Sequence, residues 1–371
     1  MNENTRYWVG FNIVPGIGPV KVRALVEHFG SVKAAWHADS AALQGSGLDR
    51  RALENFLAAR SSISLDEEME RIREQGVTII TWDDPDYPRL LREIYAPPPV
   101  LYVKGSLTPA DEYAVAIVGT RRATHYGREV TSRLAGGLAA NGVTVVSGLA
   151  RGIDAIAHRA ALDAGGRTIA ILGCGIDIVY PPEHARLAQE IIANGALITD
   201  YPLGTKPDAG NFPARNRIIS GLCLGTLVTE ADEQSGALIT ARYALEQGRE
   251  VFAVPGSILT RSSAGTNRLI QAGEAKLVHD VQDILEELNL TMIVEQTEVR
   301  EIAPSSEKEA RLLQHLSDEP VHIDDLGRVS GLPIVEVSST LALMELKGLV
   351  RRVSGMNYVL ARESRVDYVI D

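Results

Sequence analysis

The sequence predicts an α/β protein built on a doubly wound parallel sheet, with a small all-α domain before it and a winged-helix-like domain after it. Three observations lead to this fold class: a helical N-terminal segment punctuated by glycines, a long alternation of apolar strand patterns with helical ones, and a final three-helix segment followed by two short strands. A chain of 371 residues exceeds one ordinary hydrophobic core. We therefore predict domains at residues 1–75, 76–290 and 307–371, with a linker at 291–306.

The N-terminal segment carries two Gly-x-Gly turns, Gly16-Ile17-Gly18 and Gly45-Ser46-Gly47, each followed by a helical pattern. This is the layout of a helix-hairpin-helix or SAM-like domain, in which hairpin amides can face a phosphate. The alternative is a compact helical domain that uses these glycines only as tight turns. We favour the alternative because the basic residues near the turns are few: Lys21, Arg23, Arg50 and Arg51.

From residue 76 onward, short apolar runs alternate with helical patterns. Apolar runs separated by helices are typical of strands that are buried on both faces, as in a parallel sheet. The predicted strands are 77–82, 100–103, 114–118, 143–146, 168–172, 196–199, 226–229, 251–254 and 276–278, and the predicted helices include 125–140, 153–164, 182–193, 215–222 and 236–247. The segment 83–99 is rich in Pro and Asp, which predicts a connection.

The C-terminal segment has the order of a winged helix. Helices are predicted at 307–316, 323–330 and 335–347, and strands at 349–353 and 358–360. The third helix would be the one that reads a DNA groove, yet it carries Glu336 and Glu345 against only Lys347. We expect this domain to have a structural or protein-contact role.

Composition limits the kind of site that the protein can have. A net charge of −11 argues against coating nucleic acid with bulk positive charge, so any nucleic-acid site has to be local. Cys174 and Cys223 lie in separate elements without neighbouring ligands, which predicts neither a disulfide nor a metal site. Without an apolar run of roughly 18 residues or a signal-peptide pattern, the chain is expected to be cytoplasmic, with no membrane partner.

The ends of the predicted strands carry the candidate site. In open α/β sheets, ligands bind at the carboxyl ends of the strands. Three successive strands end in Gly119-Thr120-Arg121-Arg122, in Ser147-Gly148-Leu149-Ala150-Arg151-Gly152 and in Gly173-Cys174-Gly175. Glycine amides, hydroxyls and arginines from these ends would meet in one crevice, which predicts an anion site.

The fourth strand leads into Asn211-Phe212-Pro213-Ala214-Arg215-Asn216-Arg217-Ile218-Ile219, at the start of an apparent helix. An aromatic face can stack a base and arginines can pair with phosphate, so this segment favours holding nucleic acid over cutting it. The alternative is an ordinary surface helix with Pro in its first turn. There is no G-x-x-x-x-G-K-[ST], and Gly173-x-Gly175 lacks the third glycine of a dinucleotide fingerprint, so we expect no nucleotide-driven motor and no cofactor.

Two groups of titratable residues could take part in catalysis. Asp154 and His158 stand at i and i+4 of a predicted helix, either as an acid/base pair or as a local brace, and we favour the brace because no nucleophile or metal ligand set is evident nearby. Glu230, Asp232 and Glu233 could bind a cation or act as a base. We favour hydrogen bonding to helix amides or arginines.

Taken in order, six of these motifs resemble the DNA-processing protein A family, also called DprA or Smf. The matching segments are 119–122, 147–158, 173–175, 212–222, 230–240 and 254–256. The resemblance covers the whole α/β domain, and the terminal domains resemble the family's usual appendages. It implies an extended Rossmann-like fold that binds single-stranded DNA, forms a homodimer and loads the recombinase RecA during natural transformation, without a catalytic step.

The resemblance also implies roles for single residues. Arg121, with Gly119, Thr120 and Arg122, would contact phosphate, and Ser147, Gly148 and Arg151 would shape the pocket. Phe212 would stack on or wedge beside a base, and Asn216 would also contact DNA. Arg215 and Arg217 would contact DNA or pair with the acids near Glu230. The family pattern has a lysine where this chain has Ala209. Lys206, three residues earlier, could replace it.

Two other functions stay open from the sequence. One is an enzyme that acts on a nucleoside monophosphate, such as a phosphoribohydrolase, with Glu230 as the catalytic residue in the same phosphate crevice. The other is an interaction scaffold that binds no nucleic acid.

Overall fold

The computed structural model describes residues 4–290, 306–317, 320–346 and 350–360. The chain separates into two compact units, Met1–Ile293 and Val294–Asp371. Apart from Ser306, the predicted linker lies outside the described residues. The predicted boundary between residues 75 and 76 stays a prediction, because both sides of it belong to the first unit.

Six helices form the N-terminal part of the first unit. They are α1 (Thr5–Ile13), α2 (Pro19–Phe29), α3 (Val32–His37), α4 (Ser40–Gln44), α5 (Arg50–Ser62) and α6 (Leu65–Glu74). Aromatic side chains hold them together: Phe11 stacks on Phe56 with 5.0 Å between ring centroids, and Trp36 meets both rings edge-on. The same apolar core continues to Tyr102 and Leu197 of the sheet, so helices and sheet share one core.

A nine-stranded sheet follows. Its strands are β1 (Thr78–Thr81), β2 (Val100–Gly105), β3 (Ala114–Val118), β4 (Thr144–Ser147), β5 (Thr168–Ile171), β6 (Gly195–Thr199), β7 (Gly225–Val228), β8 (Glu250–Ala253) and β9 (Lys276–Leu277). Their spatial order is β1-β2-β6-β5-β4-β3-β7-β8-β9, and the seven strands from β6 to β9 are parallel. The predicted parallel sheet is thereby confirmed, and the extension by β1 and β2 is antiparallel.

Helices cover both faces of the sheet. They are α7 (Arg89–Glu93), α8 (His125–Ala140), α9 (Ile153–Asp163), α10 (Ala185–Ala193), α11 (Asn211–Gly221), α12 (Ala237–Glu246), α13 (Ala264–Gln271) and α14 (Val281–Glu287). Central strand β3 is buried at every position. Val115 and Ile117 belong to the core on one face, and Ala116 and Val118 to the core on the other, as the period of two in a strand requires.

Three elements differ from the sequence prediction. The segment predicted as a connection contains the short helix α7, whose Leu91 is fully buried. The helix predicted over 182–193 is a 3₁₀ turn, Pro182–His184, followed by α10. Helix α11 begins at Asn211 rather than at residue 215, because proline is tolerated in a first turn, where its missing N–H has no helical partner.

Glycine at position 152 lets the loops after β3 and β4 touch. Its backbone has φ of +78°, and a Cβ there would lie 2.3 Å from the Thr120 carbonyl oxygen and 2.8 Å from Arg121 Cα. The next amide, that of Ile153, donates to the Thr120 carbonyl over 3.2 Å. The two loops that carry Arg121 and Arg151 are therefore set against each other by this contact.

The second unit contains α15 (Glu307–Leu313), α16 (Ile323–Ser330) and α17 (Ile334–Leu346), with a sheet of β10 (Val321–His322), β12 (Asn357–Leu360) and β11 (Val350–Arg352) in that order. Leu326, Val337, Leu341 and Met344 form its core. The predicted winged helix is confirmed, with β10 as a strand that the sequence pattern did not indicate. Within the described part of the chain, no helix is both long enough and apolar enough to cross a membrane.

We predict that Gly152→Ala lowers the free energy of unfolding by about 2 kcal/mol or more, because it combines a left-handed backbone with a clash against backbone atoms. Gly248→Ala is the matched control, since Gly248 has φ of +65° but no atom within 4 Å of its Cβ position. It should cost about 1 kcal/mol. Chemical denaturation measures both, and equal losses would contradict the loop contact.

Candidate nucleic-acid interface

A small crevice opens at the carboxyl ends of β3, β4 and β5. Residues from three loops and from α11 line it: Arg121, Gly148, Ala150, Arg151, Tyr180, Pro181, Phe212 and Arg215. Three of these eight side chains are arginines and two are aromatic. The predicted meeting of the strand ends is therefore what the structure shows, with Tyr180 and Pro181 added.

Phe212 stands in the first turn of α11 and is half-buried. Its ring lies 5.5 Å from that of Tyr180, with 31° between the planes. Gly173, at the end of β5, leaves room for it, since a Cβ there would lie 2.8 Å from Phe212 Cδ1. The two rings form a small aromatic surface at the crevice.

Arg121 is exposed, and its guanidinium carbon lies 5.6 Å from the centroid of the Phe212 ring. Within the residues that the structure describes, no carboxylate forms an ion pair with it, so its charge stays available. The preceding loop is fixed, because the Thr120 amide donates to the Glu230 carbonyl over 2.7 Å and a Cβ on Gly119 would clash with Ile153. Arg122, also exposed, donates its amide to Thr120 Oγ1.

Arg151 lies across the crevice and is exposed as well. Its Nε donates to Glu183 Oε1 over 2.5 Å, and this hydrogen bond raises the pKa of Arg151. Because the pair is open to solvent, exchanging Glu183 for another anion costs little. Arg151 can therefore turn to a bound phosphate.

Arg215 forms part of the crevice wall but is almost fully buried, with 4% of its surface exposed. Its Nη1 donates to the Gly148 carbonyl over 3.0 Å and to the Ile171 carbonyl. These donors join the ends of β4 and β5 to α11, and the contact of Arg215 with DNA stays a prediction. Its expected pairing with the acids near Glu230 is wrong, since the nearby carboxylate is that of Asp154.

Arg217 points away from the crevice. It lies two residues after Arg215 on α11, and residues two apart on a helix are rotated by about 200°. Its Nη2 pairs with Asp200 Oδ2 over 2.7 Å, and its Nη1 donates to the Ala96 carbonyl over 2.9 Å. The expected pairing near Glu230 is therefore wrong for Arg217, and its contact with DNA stays a prediction. Instead, it connects α11 to the end of β6 and to the loop before β2.

Ser147, Gly148 and Asp154 build the floor beneath Arg151. Ser147 Oγ is buried and donates to the Ile117 carbonyl over 2.6 Å, which ties β4 to β3. Asp154 Oδ2 accepts from the amides of Gly148 and Ala150, both over 3.2 Å. Burial raises the pKa of Asp154, and the charge of Arg215 opposes that shift. The pocket-shaping role expected for Ser147 and Gly148 agrees with this geometry.

His158 is fully buried, and its Nδ1 lies 2.7 Å from Thr168 Oγ1. No hydrogen bond joins it to Asp154 in the described structure, so the two do not form an acid/base pair and the local brace is the better interpretation. Burial, reinforced by the charges of His184 and Arg215, lowers the pKa of His158 to about 3.

Glu230 follows β7 and is 2% exposed, and its carboxylate contacts the residue that caps the start of α8. Its Oε1 accepts from Thr124 Oγ1 over 2.7 Å and its Oε2 from the Thr124 amide over 2.9 Å. Helix α8 approaches so closely that a Cβ on Gly127 would lie 2.1 Å from Glu230 Oε2. This agrees with bonding to helix amides, and it leaves the enzyme alternative without an accessible base at position 230.

Lys206, Ala209 and Asn216 are not among the residues that line the crevice. Lys206 and Ala209 are exposed in the loop between β6 and α11. Asn216 is half-buried on α11, one helical turn beyond Phe212. Their predicted roles in DNA binding stay predictions.

In the terminal segments, Lys21 and Lys308 are each paired with a carboxylate. Lys21 donates to the Gly16 carbonyl over 2.8 Å and pairs with Asp49. The lysine nearest the first Gly-x-Gly turn is therefore bonded to the protein itself. On α17, the exposed side chains include Ile334, Val335 and Leu343, and Glu336 pairs with Lys308. Lys347 lies outside the described residues.

Tyr180 and Pro181 were missed by the sequence reasoning. They follow β5 by about ten residues, in a loop that contains no arginine and whose Gly173-Cys174-Gly175 lies several residues before them. The usable signal was their place after a parallel strand, since every such loop lies at the ligand-binding edge.

A family model described as DNA recombination-mediator protein A matches residues 78–289, and one described as DprA winged helix domain matches residues 296–356. Protein Smf of Synechocystis sp. is 36% identical over 394 aligned residues, which cover 96% of this chain and 99% of that protein. DNA processing protein A of Streptococcus pneumoniae has a similar solved structure, with a TM-score of 0.68 at 37% identity over 77% of this chain and 99% of that one. DNA processing protein A of Helicobacter pylori, which has a single-stranded DNA binding mode, matches with a TM-score of 0.52 at 33% identity over 57% and 95%.

We predict that the free energy of unfolding falls as pH drops from about 6.5 toward about 3, because the unfolded chain protonates His158 while the folded chain does not. The contribution of this one group has a slope of at most about 1.4 kcal/mol per pH unit. Denaturation of the parent and of His158→Gln at about pH 7 and about pH 5 measures it. The variant should lose part of the pH dependence, with exposed His279→Gln as control. Identical pH profiles for parent and His158→Gln would contradict the assignment.

Proposed function

The chain belongs to the DNA-processing protein A family, and we propose that it binds single-stranded DNA in the crevice between Arg121, Arg151 and Phe212. Membership of this family supports a role in DNA processing. The observation that carries the proposal is the Arg121 guanidinium over the Phe212 ring. A cation and an aromatic face side by side fit a phosphate and its base, whatever the base sequence.

In this proposal, a base stacks on the Phe212–Tyr180 surface while Arg121 and Arg151 face the neighbouring phosphates. Gly119 and Thr120 set the position of Arg121, and Arg122 adds charge beside it. Lys206 reaches the DNA backbone from the loop before α11. It replaces the lysine that the family pattern has at the position of Ala209. A local cluster of this kind binds DNA on a protein with a net charge of −11, because screening at physiological salt acts within about 8 Å.

We further propose that the protein holds DNA without cutting it. The eight residues that line the crevice include no serine, cysteine, histidine or carboxylate. Glu230, the base that the phosphoribohydrolase alternative needs, has both oxygens occupied by Thr124. A binding role therefore accounts for the site better than hydrolysis does.

RecA loading onto incoming strands during natural transformation is the pathway that we propose, with the cytoplasm as its place. The description of the matching family model as a recombination mediator supports it. RecA-dependent strand exchange, started on single strands with and without the protein, tests it. Acceleration that Arg121→Ala abolishes supports mediation, and no change in rate would remove RecA from the account.

A homodimer through the Rossmann-like domain is the proposed assembly. Ile258 and Leu259 stand side by side in the loop after β8, and each is 92% exposed. Two neighbouring large apolar side chains in water favour a second protein surface over them. Sedimentation of the parent and of Leu259→Asp tests the assembly, and a monomeric parent would refute it.

We predict that Arg121→Ala and Phe212→Ala each weaken binding of a labelled single strand by about tenfold. Arg121→Ala should also reduce the slope of log K against log salt by about 1, whereas Phe212→Ala should leave it unchanged, since only the arginine displaces counterions. Arg133→Ala, on the exposed side of α8, is the control. Parent-like affinity in both crevice variants would show that the crevice is not the site.

We predict that Gly173→Ala weakens the same binding about fivefold with the salt slope intact, because its Cβ displaces the Phe212 ring. Gly236→Ala serves as control, since no atom lies within 4 Å of its Cβ position. Fluorescence anisotropy with a labelled oligothymidylate measures both. A loss of the same size in the control would disconnect the effect from Phe212.

A further inference from the structure

Tyr95 is the most exposed aromatic side chain of the described residues, with 87% of its surface open to solvent. It belongs to the loop between α7 and β2, next to the face of α11 that points away from the crevice. A large aromatic side chain that is exposed to water is ordinarily mobile and packs against no other residue. The chain around Tyr95, however, is tightly held.

Two contacts and one backbone conformation hold the residues on either side of Tyr95. Ile94 is buried against the end of α11, where a Cβ on Gly221 would lie 3.0 Å from Ile94 Cγ2. Ala96 has φ of +53°, a left-handed conformation that alanine rarely adopts, and its carbonyl accepts from Arg217 Nη1 over 2.9 Å. The loop that presents Tyr95 is therefore anchored on both sides of the tyrosine.

This anchoring gives Arg217 a role that its place in the motif does not indicate. Its other nitrogen, Nη2, is paired with Asp200, so its charge is neutralised and its geometry is fixed. It works as a strut between α11 and the Tyr95 loop. The helix that carries Phe212 into the crevice thus also positions an exposed ring.

We propose that Tyr95 is a second base-stacking position for single-stranded DNA, beyond Phe212, and this inference rests on the proposed function. Phe212 and Arg217 are five residues apart on α11, a rise of ~7.5 Å, and Ala96 is bonded to Arg217. A strand that leaves the crevice and continues around α11 would meet Tyr95 on the other side of that helix. A pre-ordered ring loses little entropy when a base stacks on it, and such stacking tolerates every base.

Affinities for two oligothymidylates, about 5 and about 20 nucleotides long, test the proposal with the full chain. Tyr95→Ala should lose about fivefold or more on the long strand only, with an unchanged salt slope, and Tyr95→Phe should bind like the parent. Tyr113→Ala is the matched control, because Tyr113 is also exposed but precedes β3, at the amino end of the sheet. Photocrosslinking of a long strand that contains 5-iododeoxyuridine should label Tyr95.

Each outcome decides the matter. If the parent binds neither strand, the proposed function fails and this inference with it. If the parent binds but Tyr95→Ala equals it on the long strand and no crosslink forms at Tyr95, this inference alone is wrong. Unchanged DNA affinity with an altered oligomeric state would assign Tyr95 to a protein contact and overturn it.

Discussion

A buried guanidinium, that of Arg215, connects the parts of the crevice. Its donors reach the carbonyls of Gly148 and Ile171, at the ends of β4 and β5, while its backbone belongs to α11. Asp154 lies close enough for its carboxylate and the guanidinium to flank Gly148, where a Cβ would meet both within 2.8 Å. Burying a charge is costly unless it is hydrogen-bonded and compensated, so each of these partners is needed where it is.

The consequence is a division of labour among the arginines. Arg215 and Arg217 spend their hydrogen bonds on the protein, and in doing so they fix α11 and the first-turn Phe212. Arg121 remains exposed beside that ring, and among the described residues Arg151 forms an ion pair only with the solvent-exposed carboxylate of Glu183. The exposed arginines that can reach a ligand, Arg121 and Arg151, are therefore positioned by Arg215 and Arg217, which bind the protein itself. On the other side of the β3 end, Glu230 has the same framing role for α8.

Much of the crevice could be predicted because parallel strands place their carboxyl ends at one edge of a sheet. Arg121, Arg151 and Phe212 follow from that rule. The rule does not predict how deeply a side chain is buried. Arg215 and Arg217 are both arginines two positions apart, yet the rotation of the helix places one beneath the crevice and the other toward Ala96. Tyr180 and Tyr95 were not predicted, because their places depend on loop conformations that have no periodic pattern in the sequence.

The most direct test of the central claim is a comparison of single- and double-strand affinity across salt concentrations with oligonucleotides of equal length. The account predicts tighter binding of the single strand at every salt concentration, because only unpaired bases can stack on Phe212, together with a shallow salt dependence set by a few arginines. Equal affinity for both forms, or a steep dependence shared by both, would mean that the protein binds the phosphate backbone alone and would contradict the account.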